Sequence, residues 1–368
     1  MASINKSQIS AVILAGGISK RMYQQDKGLI LLNKKPLIEY AIKAITPYVK
    51  TVFISANRNI AQYQKFSSEP IISDDFSDFQ GPLAGFAKAM SVVKTPYLLI
   101  LPCDCPGLDG ELVVSLADKL SKENAEICFA HDGNRAQPMF VLLKSNLLAS
   151  LKSYLNAGNR KIDLWYQNHR TVFSDFSRHK NFFNNLNKPS DFASLTKPQK
   201  IGQTPILGVA AFSGVGKTTL LSKVIKTMVN LQVTAIKKSH HNFTIDYPGK
   251  DSYKFFQAGA QQVLISSSDK FALIARKQKP DNDLFELLQT IDLSKSDLVL
   301  VEGFKNAPIA KIELQRTDLK HPNIFPEDSN IIAVASDQPK QVKVCNRIVL
   351  DINNPDEIAD FITAYCSN

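Results

Sequence analysis

The segment AVILAGGISKRMYQQDKGLIL, residues 11–31, decides how this chain is read. Val12-Ile13-Leu14 is an apolar run of the kind that forms a buried strand. It stops at Ala15-Gly16-Gly17, where small or absent side chains let backbone N–H groups approach a phosphate. Three cations follow, Lys20, Arg21 and Lys27, with Asp26 beside the last. A Gly-Gly after a strand is by itself only a turn. A strand, a small-residue loop and then phosphate-seeking cations outline a nucleotide site.

Beyond that segment, strand and helix patterns alternate. Pro36 to Pro47 places Leu37, Ile38, Ala41, Ile42 and Ile45 on one helical face. Thr51 to Ser55 reads as a strand ending at Ala56-Asn57-Arg58. IISDDFSDFQGPLAGFAKAM joins a strand end, an acidic loop and a helix, and Tyr97 to Leu101 is a buried strand ending in Pro102-Cys103-Asp104-Cys105-Pro106. This alternation predicts a parallel, doubly wound sheet with its ligands outside the carboxyl ends of the strands. Gly16, Gly17, Asn57, Asp74 or Asp75, and Asp104 would then gather at one edge. Asp104 is the sharpest of them: a carboxylate just past a buried strand is costly unless it is solvated, caps a helix or binds a cation such as Mg²⁺. Asp132-Gly133-Asn134 reads as a hairpin turn between ICFAH and PMFVLL, which adds an antiparallel edge. His131, at a strand end, either touches substrate or is structural.

A chain of 368 residues, 44% hydrophobic and 21% charged, suits two soluble domains. The net charge of +10 favours anionic partners. Lys and Arg are scattered, with no dense basic tract, so small phosphorylated molecules fit better than nucleic acid. MASINKSQIS lacks the apolar core of a signal peptide and no apolar run reaches membrane-spanning length, which predicts a cytoplasmic protein with no membrane partner. Five cysteines are spread too widely for a disulfide framework, and Cys103 and Cys105 lack the companions of a zinc site. Buried thiols are expected.

TKPQKIGQTP, residues 196–205, separates two complete patterns. It predicts domains at 1–197 and 205–368 with a linker at 198–204. The second domain opens with the strand Ile206 to Ala210 and then AFSGVGKTTLL, a phosphate-binding loop in which Ala211 replaces the first Gly of the strict pattern. Gly214, Val215, Gly216, Lys217, Thr218 and Thr219 are its expected nucleotide contacts. Successive N–H groups ring the β-phosphate, Lys217 spans the terminal phosphates, and Thr218 offers a hydroxyl to Mg²⁺. Asp297 to Phe304 is the companion strand, whose Glu302 reaches the same metal shell. Asp251, at a helix start, is either functional or dipole-favoured, and Asp337 is a candidate acceptor for guanine N–H groups.

The LAGG segment, Arg21-Met22, Asp26-Lys27-Gly28 and Lys35-Pro36-Leu37 together resemble the opening signature of the molybdenum-cofactor guanylyltransferases, the MobA family. The match continues through His131-Asp132-Gly133, Gln137-Pro138, Phe173-Ser174-Asp175-Phe176 and Asn187. The family has Gly where this chain has Tyr23, a residue that resists positive φ. The second half resembles the MobB family in FSGVGKTTLL, IKKSHHNF, PGKDSYKFFQAGA, VEGFK, IAKIEL and IAVASDQP, with Lys238 and Asn242 flanking His240-His241 where the family has His and Asp. The resemblance implies two three-layer α/β domains, a Rossmann-like nucleotidyltransferase with a mostly parallel sheet and then a P-loop NTPase-like domain. It implies that Leu14, Ala15, Gly16, Lys27, Asn57, Asp74 and Asp104 bind nucleotide, with Gly17 in the same loop. Asp104 is then the Mg²⁺ ligand, and Lys27 and Arg21 neutralise the triphosphate.

The activity so implied is transfer of GMP from GTP to Mo-molybdopterin with release of pyrophosphate, beside a GTP-binding adaptor domain with weak GTPase activity at most. Molybdopterin-insertion proteins and apo-molybdoenzymes would be partners, and a homo-oligomer is left open. Arg135, Arg160 and Lys161 either hold a pterin phosphate or form a solvated basic face. The rival readings are a sugar-phosphate or pterin cytidylyl nucleotidyltransferase, a P-loop small-molecule kinase, and a nucleic-acid-binding scaffold.

Overall fold

The computed structural model describes residues 4–17, 19–73, 82–239, 244–276, 283–342 and 346–367. The chain forms two compact units, residues 1–197 with 338–350, and residues 198–337 with 351–367.

The first unit is built on β1 (Ile9–Leu14), α1 (Leu37–Ile45), β2 (Thr51–Ser55), α2 (Pro82–Val92), β3 (Tyr97–Pro102), α3 (Glu111–Lys122), β4 (Ile127–His131), β5 (Ala136–Lys144), α4 (Leu148–Asn156) and β6 (Thr171–Asp175). Its sheet runs β2-β1-β3-β5-β4-β6. β1 pairs in parallel with both β2 and β3, and β5 is antiparallel to β3 and β4. Alternate residues of each central strand enter opposite layers, as the period of two requires. Ala11, Ile13, Leu99 and Leu101 pack with residues of α1 and α3, whereas Val12, Leu98 and Ile100 pack with residues of α2 and α4. Both faces are therefore dry, which is why the strands read as unbroken apolar runs. β1 has neighbours on both sides, and the chain reaches them in opposite directions along the sheet. The crevice of such a sheet opens at the carboxyl end of that strand.

The second unit contains β7 (Thr204–Ala210), α5 (Lys217–Thr227), β8 (Val233–Lys237), a hairpin of β9 (Gln262–Ser266) with β10 (Phe271–Ala275), β11 (Leu298–Glu302), β12 (Lys311–Gln315), β13 (Ile331–Ser336) and α6 (Pro355–Cys366). Its main sheet includes the order β8-β11-β7-β12-β13. β8, β11, β7, β12 and β13 are all parallel. β7 is buried along its whole length.

The stretch expected as a linker, 198–204, falls at the start of the second unit. Lys200 and Ile201 pair antiparallel with Pro205 and Thr204. Gln199 donates from its backbone N to the Tyr365 hydroxyl at 2.9 Å, and its side chain bridges Pro308 O and Ala310 N. Gln199 of this stretch thus satisfies backbone groups of the second unit. Residues 338–350, expected within the second domain, group with the first unit.

Candidate functional site

A cleft of about 550 Å³ lies at the carboxyl ends of β1, β2 and β3. Its walls bring together Leu14, Ala15, Gly16, Gly17, Lys20, Arg21, Lys27, Asn57 and Asp104 from distant parts of the sequence. Gly16 is required where it stands. Its φ is +71°, and a Cβ there would lie 3.1 Å from Ala56 Cα and from the Asn57 nitrogen. The loop can pass this close to the end of β2 only without a side chain.

Lys27 is the centre of the polar chemistry. Its Nζ donates to Asp104 Oδ2 at 3.0 Å and to Asn187 Oδ1 at 2.7 Å. Both members of the ion pair are mostly buried, at 16% and 17% side-chain exposure, so the attraction is less screened than at a surface. Asp104 Oδ1 is buried and has no hydrogen-bond partner. An orphaned carboxylate oxygen beside a cleft lined by a glycine loop and cations fits a divalent cation. Among the described residues no group of three or more His, Cys, Asp or Glu converges. A cation here would therefore take most of its ligands from phosphate oxygens and water, which is the habit of Mg²⁺.

Asn187 belongs to this centre although motif spacing gave it no role. Two contacts near the end of β3 seat it: Leu186 N donates to Asp104 O at 3.1 Å, and the Cys105 thiol donates to Asn185 Oδ1 at 2.6 Å. Cys103, Cys105 and Cys128 are buried, as expected, and burial pushes all three thiols up. Cys366 is half-buried.

Asp26 does not face the nucleotide cleft alone. Its Oδ1 accepts from the Tyr63 hydroxyl at 2.5 Å and its Oδ2 from Asn59 Nδ2 at 2.9 Å. Arg58 Nε lies 3.5 Å from the same Oδ2. The rest of the Arg58 guanidinium donates to Gln24 O at 2.9 Å and Gly17 O at 2.7 Å, so this arginine ties both ends of the loop that carries Lys20 and Arg21. Tyr23, which replaces the family glycine, takes φ 50° and ψ 39° all the same. Gln24 is also left-handed, at φ 64°. The left-handed turn costs about 1–2 kcal/mol per residue. The fully buried Met22 and the Arg58–Gln24 hydrogen bond hold it in place.

In the second unit, the loop between β7 and α5 has Gly214 at φ +83° and Gly216 at φ +91°, with open space where a Cβ would be. Lys217 Nζ donates to Ala211 O at 3.2 Å and Phe212 O at 2.9 Å, which folds its ammonium over the loop. Burial lowers its pKa, offset by Glu302 and reinforced by Lys237. Thr218 Oγ1 lies 2.9 and 3.0 Å from the two Glu302 oxygens. Lys237 Nζ sits 2.9 Å from the same hydroxyl and 3.3 Å from Glu302 Oε1. A cation thus lies beside the two groups expected to share Mg²⁺. Arg316, unforeseen in the sequence, donates from Nε to Val215 O at 3.0 Å and braces the loop.

Other candidates are placed as follows. Asp74, Asp75, His240 and His241 lie outside the described residues. Asp337 Oδ1 accepts from Thr317 N and Oγ1 at 3.0 and 2.9 Å. Asp251 is exposed and pairs with Lys254 in the first turn of its helix. Arg160 donates to Leu155 O and Asn159 O, a local structural role. No helix among the described residues is long and apolar enough to cross a membrane.

A glycine-loop crevice with a Lys–Asp pair at the head of a doubly wound sheet defines a nucleotidyltransferase domain, and the second unit is a P-loop domain. Residues 11–172 match the model of the MobA-like NTP transferase domain, and residues 206–337 match that of MobB, molybdopterin guanine dinucleotide synthesis protein B. The molybdenum cofactor guanylyltransferase of Shewanella halifaxensis is 49% identical over 183 residues, 50% of this chain and 91% of that protein. Among solved structures, molybdopterin-guanine dinucleotide biosynthesis protein A from Archaeoglobus fulgidus is 18% identical, with TM-score 0.43, covering 50% of this chain and 96% of that one. MobB of Bacillus subtilis is 20% identical, with TM-score 0.34, covering 44% of this chain and 97% of that one. The chain belongs to the molybdenum cofactor guanylyltransferase family, with a MobB domain following in the same polypeptide.

Proposed function

We propose that the first domain transfers GMP from GTP to the terminal phosphate of Mo-molybdopterin in the cytoplasm, and that the MobB domain binds a second GTP. An oxygen of the acceptor phosphate attacks the α-phosphorus in line. The new P–O bond forms as the bond to the β-phosphate oxygen breaks, and pyrophosphate departs. The attacking group is already an anion, so no strong general base is needed. Catalysis then rests on positioning and charge neutralisation.

In this reading the backbone of Ala15 to Gly17 cradles phosphate. Lys27 and Arg21 offset the charge of the triphosphate, and Asn187 keeps the Lys27 ammonium aimed into the cleft. Mg²⁺, held by Asp104, would supply further charge neutralisation between acceptor and leaving group when bound. In the second domain, Thr218 and Glu302 would hold the metal of the bound GTP, and Lys217 its terminal phosphates. The product would pass to proteins that insert the guanylylated cofactor into molybdoenzymes.

The observation that carries this reading is Lys27 Nζ, bridging Asp104 and Asn187 in the glycine-loop cleft. The test is to incubate the full chain with Mg²⁺, Mo-molybdopterin and each of the four NTPs. Guanine dinucleotide cofactor should form with GTP alone. Formation of the cytosine product, or of none, would overturn it.

A further inference from the structure

Three stretches of the family signature have no part in the nucleotide cleft: His131-Asp132-Gly133, Gln137-Pro138 and Phe173 to Phe176. The fold brings them to one place. β4 ends at His131, β6 ends at Asp175, and β5 begins at Ala136. Because β5 is antiparallel, its start lies on the same sheet edge as the carboxyl ends of β1 and β3. Phe176 N donates to His131 O at 2.8 Å, His131 stands opposite Asp175, and Gln137 Nε2 donates to Asp132 Oδ2 at 2.7 Å.

The surface so made is aromatic. The Phe173 side chain is 51% exposed, yet its ring lies 5.1 Å from that of His131 and 6.3 Å from that of Phe129. Phe129 in turn stacks on the buried Tyr166 at 5.8 Å and 15°. The Tyr166 hydroxyl donates to Pro138 O at 2.7 Å, where the register of β4 with β5 breaks, and the next residue, Met139, lines the nucleotide cleft. The platform is thus continuous with the cleft. It begins one strand away from Asp104 and ends three strands away, about 14 Å. Gly133 N donates to His131 Nδ1 at 3.1 Å, which leaves Nε2 as the ring nitrogen that can donate.

We infer that Phe173, His131 and Met139 form the subsite for the planar pterin head of the acceptor, whose phosphate arm reaches Asp104. This rests on the acceptor being Mo-molybdopterin. A flat heteroaromatic ring stacks on an exposed phenyl group backed by other rings, and its polar edge takes a hydrogen bond from the imidazole Nε2 and gives one to a carboxylate such as Asp175.

The test uses the full chain with Phe173→Ala, Phe173→Leu and Phe173→Trp. Metal-free molybdopterin and GTP are titrated separately by calorimetry, and the acceptor KM is measured alongside. Phe173→Ala and Phe173→Leu should both weaken molybdopterin binding by about tenfold, the size of one lost aromatic stack. Phe173→Trp should restore it, and GTP affinity should stay at the wild-type value in all three. Molybdopterin affinity within twofold of wild type in Phe173→Ala would overturn the subsite alone. Equal losses for GTP and molybdopterin would overturn it as well. Wild-type protein that fails to bind molybdopterin would overturn both the subsite and the acceptor reading.

Discussion

Gly28 leaves no room for a Cβ, because the hydroxyl of Tyr63 fills the place it would take. That hydroxyl cannot easily give way. Tyr63 is fully buried, and its proton is committed to Asp26 Oδ1 at 2.5 Å. Gly28→Ala should therefore push on the segment that carries Lys27. The expected cost is about 1–3 kcal/mol of stability, read from urea unfolding, with weaker GTP binding by the first domain. An Ala variant as stable and as tight-binding as wild type would show that the contact is not restrictive.

Removing the ammonium from the cleft should damage chemistry more than folding. Lys27→Ala leaves Asp104 and Asn187 without their shared donor, and both line the cleft. Guanylyl transfer should fall by about 10²–10³-fold, the scale seen when one preorganised charge-stabilising donor is lost. Circular dichroism should remain that of the folded protein. Near-normal turnover would remove Lys27 from the mechanism.

Asp132 provides an acid-sensitive point at the platform's edge. The backbone N–H groups of Arg135 and Asn134, then Gln137, hold its carboxyl at about 2 against an ordinary 3.8. A depressed folded-state pKa stabilises above the unfolded value and ceases to do so as pH falls through the folded one. The contribution should be complete above about pH 4 and vanish on approach to pH 2. Asp132→Asn should flatten the stability profile in that window, measured by thermal melting. An unchanged slope would place the acid sensitivity elsewhere.

The two proposed GTP sites should be separable by mutation. Lys217 is folded over the carbonyls of Ala211 and Phe212 in its own loop, whereas Lys27 serves the other unit. Lys217→Ala should reduce GTP stoichiometry from two to one in calorimetry and leave guanylyl transfer within about twofold, since surface-accessible changes at independent sites add with little coupling. A parallel collapse of transfer would mean that the second site drives the first.

Much of the site was legible from residue types alone. The glycines at 16, 17, 214 and 216, the cations beside them, and carboxylates placed just after apolar runs are demands of local geometry. A loop that approaches phosphate must lack side chains, and that need is written at the positions concerned. Strand and helix alternation was readable for the same reason, since burial on both faces makes continuous apolar runs.

What had to wait for the folded molecule were pairings between residues far apart. Asp104 lies 77 positions from Lys27 and Asn187 lies 160. Arg58 reaches back 34 and 41 positions to brace the glycine loop. Tyr23 was expected to resist a left-handed turn, and the anchoring of Met22 and Gln24 overrides that preference. Short-range sterics and hydrophobic period act between neighbours and so leave a trace in the order of residues. Hydrogen bonds across a sheet edge depend on strand order and register, which many distant contacts settle together and no single stretch encodes.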